Sequence, residues 1–192
     1  MKAIQALLKK SLFTSKEARI LGIHPANLSY YVKIGQLRRV SRGVYQVTAN
    51  EEASSLRWGD LIEATYSIHG GVICLISALA IYDLTEEIPR QHWIAISHGT
   101  STKAKYQIKI IRLRNIKLGK TEIELDGIIV PIFDRERTIV DAFRLLSRET
   151  AIKALKMALG LPRDKKLDLI KLQAYAKKLR VNIDPYLITA TT

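Results

Sequence analysis

The 192-residue chain pairs 47% hydrophobic residues with 26% charged ones, a balance that excludes a disordered polyelectrolyte and leaves room for two small domains. Its 31 Lys/Arg against 18 Asp/Glu give a net charge of +13, which points to polyanionic partners, and the single cysteine, Cys74, excludes an internal disulfide or a cysteine zinc cluster. No apolar run approaches the roughly eighteen residues of a membrane span, and "MKAIQALLKKSLF" is too short and too interrupted by Gln5, Lys9 and Lys10 to be a signal peptide, so a cytoplasmic protein is expected.

From the N-terminus, "KAIQALLKK" repeats Ile4, Leu7 and Leu8 at helical spacing and predicts a first short helix. "TSKEARILG" offers Thr14 as N-cap with Glu17 three residues on, a capping box, and Gly22 as its stop. After a short turn, Pro25 suits the first position of a third helix, which runs to about Ile34 with Leu28, Tyr31 and Val32 on its inner face. Gly35 closes that helix, and "QLRRV-SRG-VYQV" reads as two strands around a tight turn at Gly43. Helix, capped helix, turn, helix and basic hairpin is the order of a winged helix-turn-helix.

That order gives the side chains directions. If Leu28, Tyr31 and Val32 point inward, Ala26, Asn27, Ser29, Tyr30 and Lys33 point outward, where they could meet base edges and phosphates in a major groove. Arg38, Arg39 and Arg42 lie on the hairpin, where a wing touches backbone or minor groove. Residues 22–45 hold no carboxylate at all, as a surface that lies against phosphate requires. Tyr45 is read as packing the wing rather than contacting DNA. Charge is unevenly spread: residues 1–50 hold nine Lys/Arg against Glu17 alone, 51–100 hold two against seven acids, and 101–192 hold twenty against ten.

"ANEEASSLRWGD" reads as a junction, giving a winged helix over 1–52 and a second domain over 56–192. There, "DLIEATYSIHGG" and "CLISALAIYDL" are helical, "HWIAIS" and "KYQIKIIRLR" strand-like, and "EIEL-DG-IIVPIF" a hairpin on Asp126-Gly127. "DRERTIVDAFRLLS" opens an amphipathic helix capped by Asp134, and "ETAIKALKMALG" and "KLDLIKLQAYAKKL" follow. The fold class is therefore α+β: a winged helix-turn-helix, then a mixed α/β domain with a small central sheet and C-terminal helices. In the second domain Lys103, Lys105, Lys109, Arg112, Arg114, Lys117 and Lys120 form an acid-free run, and the first five of them are read as further DNA contacts. On a strand, Lys103, Lys105 and Lys109 share one parity and Arg112 and Arg114 the other, so a bulge near Ile110–Ile111 is needed to bring all five to one side.

"GQLRRVSRGVY" after a helix-turn-helix, "SALAIYDLTEEIP" in the middle and "DRERTIVDAFR" after an apolar strand together resemble the AbiEi-type antitoxins of type IV toxin–antitoxin and abortive-infection (phage-defence) systems, over nearly the whole chain. The resemblance implies a repressor of its own operon, encoded beside a nucleotidyltransferase-like toxin that it neutralises without requiring a stable complex. It makes Asn27, Ser29, Tyr30, Lys33, Arg38, Arg39 and Arg42 operator contacts, with a monomer or cooperating pair on double-stranded DNA. It also makes the C-terminal domain the antitoxin domain proper, where Arg137 and Asp141, four apart on one helix, are read as an organising pair.

An enzyme is not expected, and neither a cofactor nor a metal. The chain has no glycine-rich phosphate loop, no His-Glu-x-x-His and no cysteine–histidine cluster. Asp134, Glu136 and Asp141 with Lys153 are read as caps and surface pairs rather than as a metal site. Two other readings leave distinct traces: a toxin-binding protein with incidental basicity co-purifies with its toxin and has no DNA sequence preference, and a kinase-like modifier adds mass to the toxin when nucleotide is supplied.

Overall fold

The computed structural model describes residues 2–10, 12–41, 43–48, 57–102, 107–162 and 165–191. The chain divides into two compact units, Met1–Gly71 with Ile123–Val130 and Val72–Glu122 with Pro131–Thr192. The sequence junction between residues 52 and 56 lies outside the described residues.

In the first unit, Thr14 closes one element and opens the next. It ends strand β1 (Leu12–Thr14), which follows helix α1 (Lys2–Leu8), and its hydroxyl accepts the Glu17 N–H at 3.1 Å at the start of α2 (Ser15–Ile20). The Glu17 carboxylate returns the bond to the Thr14 N–H at 2.7 Å, completing the predicted capping box. Burial works against the charged form of Glu17, but hydrogen bonds from Lys10 and Thr14 outweigh it and hold the carboxyl below its ordinary pKa.

Helix α3 (Pro25–Lys33) follows a turn that α2 closes in a Schellman arrangement, Gly22 N–H to Arg19 C=O and Ile23 N–H to Ala18 C=O, both at 2.9 Å. Gly22 takes φ +75°, the left-handed conformation that such a cap requires. Strands β2 (Leu37–Ser41) and β3 (Val44–Val47) form the hairpin, and the sheet order is β1-β3-β2 with β3 antiparallel to both neighbours. Leu7, Phe13, Ala18, Ile23, Leu28, Leu37, Tyr45 and Val47 make one core, in which Tyr45 stacks on Phe13 at 5.8 Å between centroids. Helix α4 (Gly59–Ser67) belongs to the same unit. The Trp58 N–H at its start donates to Asp126 Oδ2 at 2.8 Å, and the Tyr66 hydroxyl donates to the Ile129 carbonyl at 2.7 Å.

The second sheet is five-stranded, in the order β6-β5-β4-β8-β7, from β4 (Val72–Ile73), β5 (His92–Ser97), β6 (Ile108–Leu113), β7 (Lys120–Leu125) and β8 (Ile128–Phe133). It is mixed: β4 runs antiparallel to β5 and parallel to β8, and β5 and β6 are parallel. Asp126 and Gly127 turn β7 into β8 with φ of +48° and +80°, the two positive values of a type I′ hairpin. Helices α5 (Leu75–Ile81), α6 (Arg135–Leu145), α7 (Arg148–Leu159), α8 (Leu169–Leu179) and α9 (Asp184–Thr191) complete the described elements. Helix α6 is the central one, buried from Glu136 to Phe143, and its Ile139 and Phe143 share a core with Leu79, Leu155 and Leu172.

Inside α6 the expected pair is made: Arg137 Nε donates to Asp141 Oδ2 at 2.7 Å with both side chains at most 1% exposed. Arg144 takes the other Asp141 oxygen at 2.6 Å, and Arg137 Nη1 donates to the carbonyls of Asn115 and Leu118 at 3.0 and 2.8 Å. The chain passes so close that a Cβ on Gly119, at φ +68°, would lie 2.6 Å from Arg137 Cβ. Arg137 thus ties the loop before β7 to the central helix.

Candidate nucleic-acid interface

His24 caps α3 by accepting the Ala26 N–H on Nδ1 at 3.3 Å, which leaves Nε2–H as the outward donor. Pro25 supplies the first helical residue, and Leu28 is the one residue of the helix that is fully buried. Tyr31 and Val32 are half-buried against the same core, while Ala26, Asn27, Ser29, Tyr30 and Lys33 are exposed. The Ser29 hydroxyl donates to the Pro25 carbonyl at 3.4 Å, and Tyr30, 59% exposed, meets Tyr31 edge-on at 5.5 Å. One cation, one amide, one phenol and one hydroxyl therefore stand on a helix face without a carboxylate. Ile34, the C-cap residue, joins them at 46% exposure; the inward–outward assignment of the helix left it out because it follows the last predicted core position.

The wing does not present its arginines together. Arg39 pairs across the sheet with Tyr45 and Tyr45 with Phe13, a row on the face that carries the core. Arg38 pairs with Gln46 and Gln46 with Leu12, a row on the opposite face. Arg38 donates from Nε and Nη2 to Gln46 Oε1 at 3.2 and 2.6 Å and lines a cavity of about 180 Å³ with Asp60 and Glu63 of α4. Arg42 lies outside the described residues. The separation has a measurable consequence. Arg39→Ala is expected to weaken DNA binding and lower the salt slope by about one, whereas Arg38→Ala should lower both by less. Titration of labelled duplex at several salt concentrations checks both.

The second basic run is split as well. Lys103 and Lys105 lie outside the described residues. Strand β6 pairs with β5 in unbroken register from Ile108 to Leu113, so the bulge that a single basic face would need near Ile110–Ile111 is absent. The parallel ladder of β5 fixes every residue of β6 in turn, and Lys109 and Arg112 therefore project from opposite faces. Lys109 Nζ sits 3.8 Å from the centroid of the Trp93 ring, its neighbour across the ladder. Arg112 and Arg114 are exposed, Arg114 just past the end of the strand.

The acidic residues of α6 are committed elsewhere. Asp134 accepts the Arg137 N–H at 2.8 Å and the Tyr175 hydroxyl at 3.1 Å, and Lys171 lies 3.0 Å from Asp134 and 3.2 Å from Glu136. Burial works against the Lys171 ammonium, but Asp134 and Glu136 outweigh it and raise its pKa. Tyr82, whose hydroxyl donates to the Phe133 carbonyl at 3.0 Å, is pushed up to about 12, first by burial and then by Asp134. Lys153 pairs with Glu149 at 2.7 Å instead of joining Asp134. Among the described residues no group of His, Cys, Asp and Glu is placed to hold a metal ion. Cys74 is fully buried, and burial raises its thiol well above the ordinary value, which keeps it a core residue.

Residues 2–48 match the family described as "Transcriptional regulator, AbiEi antitoxin". The AbiEi match begins with α1 and ends just past β3, so it spans the winged helix from its first helix through its wing. That description is of a transcriptional regulator, and over residues 2–48 it agrees with the resemblance read from the residues. No curated protein matches the chain. Among the described residues no helix is long and apolar enough to cross a membrane.

Proposed function

We propose that this chain is a DNA-binding antitoxin that represses its own operon through the winged helix and neutralises a cognate nucleotidyltransferase-like toxin through its C-terminal domain. One coincidence carries the reading: the AbiEi antitoxin regulator match over 2–48 falls on the segment whose residues 22–45 contain no carboxylate. Asn27, Ser29 and Tyr30 address base edges, and Lys33, Arg39 and Arg42 address phosphate. Arg38, paired with Gln46 and close to Asp60 and Glu63, is given a lesser share. Of the second basic run, Arg112 and Arg114 can add phosphate contacts from one side of β6, with Lys109 on the other. The protein works in the cytoplasm as a monomer or as two copies cooperating on paired operator sites.

The test uses the DNA upstream of the chain's own coding sequence and the product of the gene beside it. The full-length protein is expected to shift that fragment, to lower expression of a reporter placed behind it, and to restore growth when the neighbouring gene is induced. A protein that restores growth but ignores its own upstream DNA refutes the repressor half and favours a toxin-binding role.

A further inference from the structure

The outward face of α3 carries more information than its charge. At about 100° per residue, Ala26, Tyr30 and Lys33 form its outermost row, with Asn27 and Ile34 along one flank and Ser29 along the other. All six are exposed. When such a helix lies along a major groove, its outward residues meet the base edges, the N-terminal ones foremost. Here those are Ala26 and Asn27, with Tyr30 one turn on.

These residue types match only part of the major-groove code. An asparagine amide donates and accepts at once, which fits N7 and N6–H₂ of adenine, while methyl and branched side chains fit the C5-methyl of thymine. The commonest guanine reader, an arginine fork on O6 and N7, has no donor on this helix, because Pro25–Lys33 contains no arginine, and its one cation, Lys33, is taken up by phosphate. Ile34, 46% exposed at the far end of the Asn27 flank, is the branched apolar side chain of this face.

We infer that α3 reads an A·T-rich half-site, with Asn27 on an adenine and the side chains of Ala26 and Ile34 on thymine methyl groups. This rests on the DNA-binding reading and specifies its ligand. Asn27 and Ile34 are seven residues apart, about 10 Å along the axis, so for a helix lying along the groove their targets are about three base-pair steps apart. The Tyr30 hydroxyl then faces the base pairs between, and Lys33 the sugar-phosphate backbone.

Selection of bound duplexes from a random pool by the full-length protein tests the inference, followed by atom-level substitution in the selected site. The selected half-site should hold an adenine and a thymine at that spacing. Exchanging the adenine for 7-deazaadenine, which lacks the N7 acceptor, should weaken wild type by roughly 5- to 150-fold and leave Asn27→Ala unchanged. Exchanging thymine for uracil, which lacks the methyl, should weaken wild type by about fourfold and leave Ile34→Ala unchanged. Both residues are exposed, so the variants keep the core; their melting curves should coincide with that of wild type. A G·C-rich consensus, or equal response of wild type and variant to each base analogue, overturns the inference while DNA binding stands. Failure to retain any duplex overturns the DNA-binding reading itself.

Discussion

Replacing Arg137 with alanine is expected to cost about 3–5 kcal/mol of stability, the range for removing one partner of a buried ion pair. The truncation leaves Asp141, 1% exposed, with only the Arg144 bond from the protein surface, and it removes both hydrogen bonds that hold the Asn115 and Leu118 carbonyls. For a chain of this length the loss corresponds to a fall in Tm of roughly 6 to 20 °C. A second variant separates charge from volume. In Arg137→Met/Asp141→Leu neither charge is left in the core, and most of the lost stability should return. Thermal melts of the three proteins decide the matter; a double variant as unstable as Arg137→Ala would mean that the loop ties, not the unpaired carboxylate, dominate.

Leu28→Ala is expected to have the second largest effect, about 2–5 kcal/mol, and to abolish DNA binding with it. Leu28 is the single fully buried side chain of α3 and packs among Leu7, Phe13, Ala18, Ile23 and Tyr45. Its loss removes what fixes the helix against the three-stranded sheet, so the exposed residues no longer share one rigid face. Tyr30→Ala is the control on the same helix: Tyr30 is 59% exposed, so stability should change little while DNA affinity falls. Urea unfolding set beside duplex titration separates the two. Equal losses of stability in both variants would contradict the assignment of inner and outer faces.

Much of this architecture is legible in short local signals. Thr14 with Glu17, Gly22 and Gly35 after their helices, Asp126-Gly127 and Asp134 each act within a few residues of themselves, and each is found doing what its chemistry requires. Strands β1 and β4 are not legible, because three and two residues carry no period; Leu12–Thr14 is a strand only because Val44–Gln46, thirty residues away, lies beside it. Helix α9 is not legible either, because "DPYLITAT" has scarcely any amphipathic pattern. At the candidate interface, the parity of Arg38 and Arg39 is plain from their adjacency, but which of them shares the face of the core depends on the pairing of β3 with β1. The continuity of β6 likewise depends on its partner, since a bulge is a property of two strands and not of one.

A winged-helix surface that lies against phosphate releases counterions when it binds, so its affinity falls with salt. The most direct measurement is the affinity of the full-length protein for its upstream duplex at a series of salt concentrations, with Lys33→Ala/Arg39→Ala as the comparison. The expected result is a fall of roughly 10³- to 10⁵-fold between 50 and 200 mM salt for the about six to ten phosphate contacts made when both domains touch the duplex, with a slope shallower by about two in the double variant. An affinity that barely moves with salt, or a slope that the double variant leaves unchanged, would contradict it.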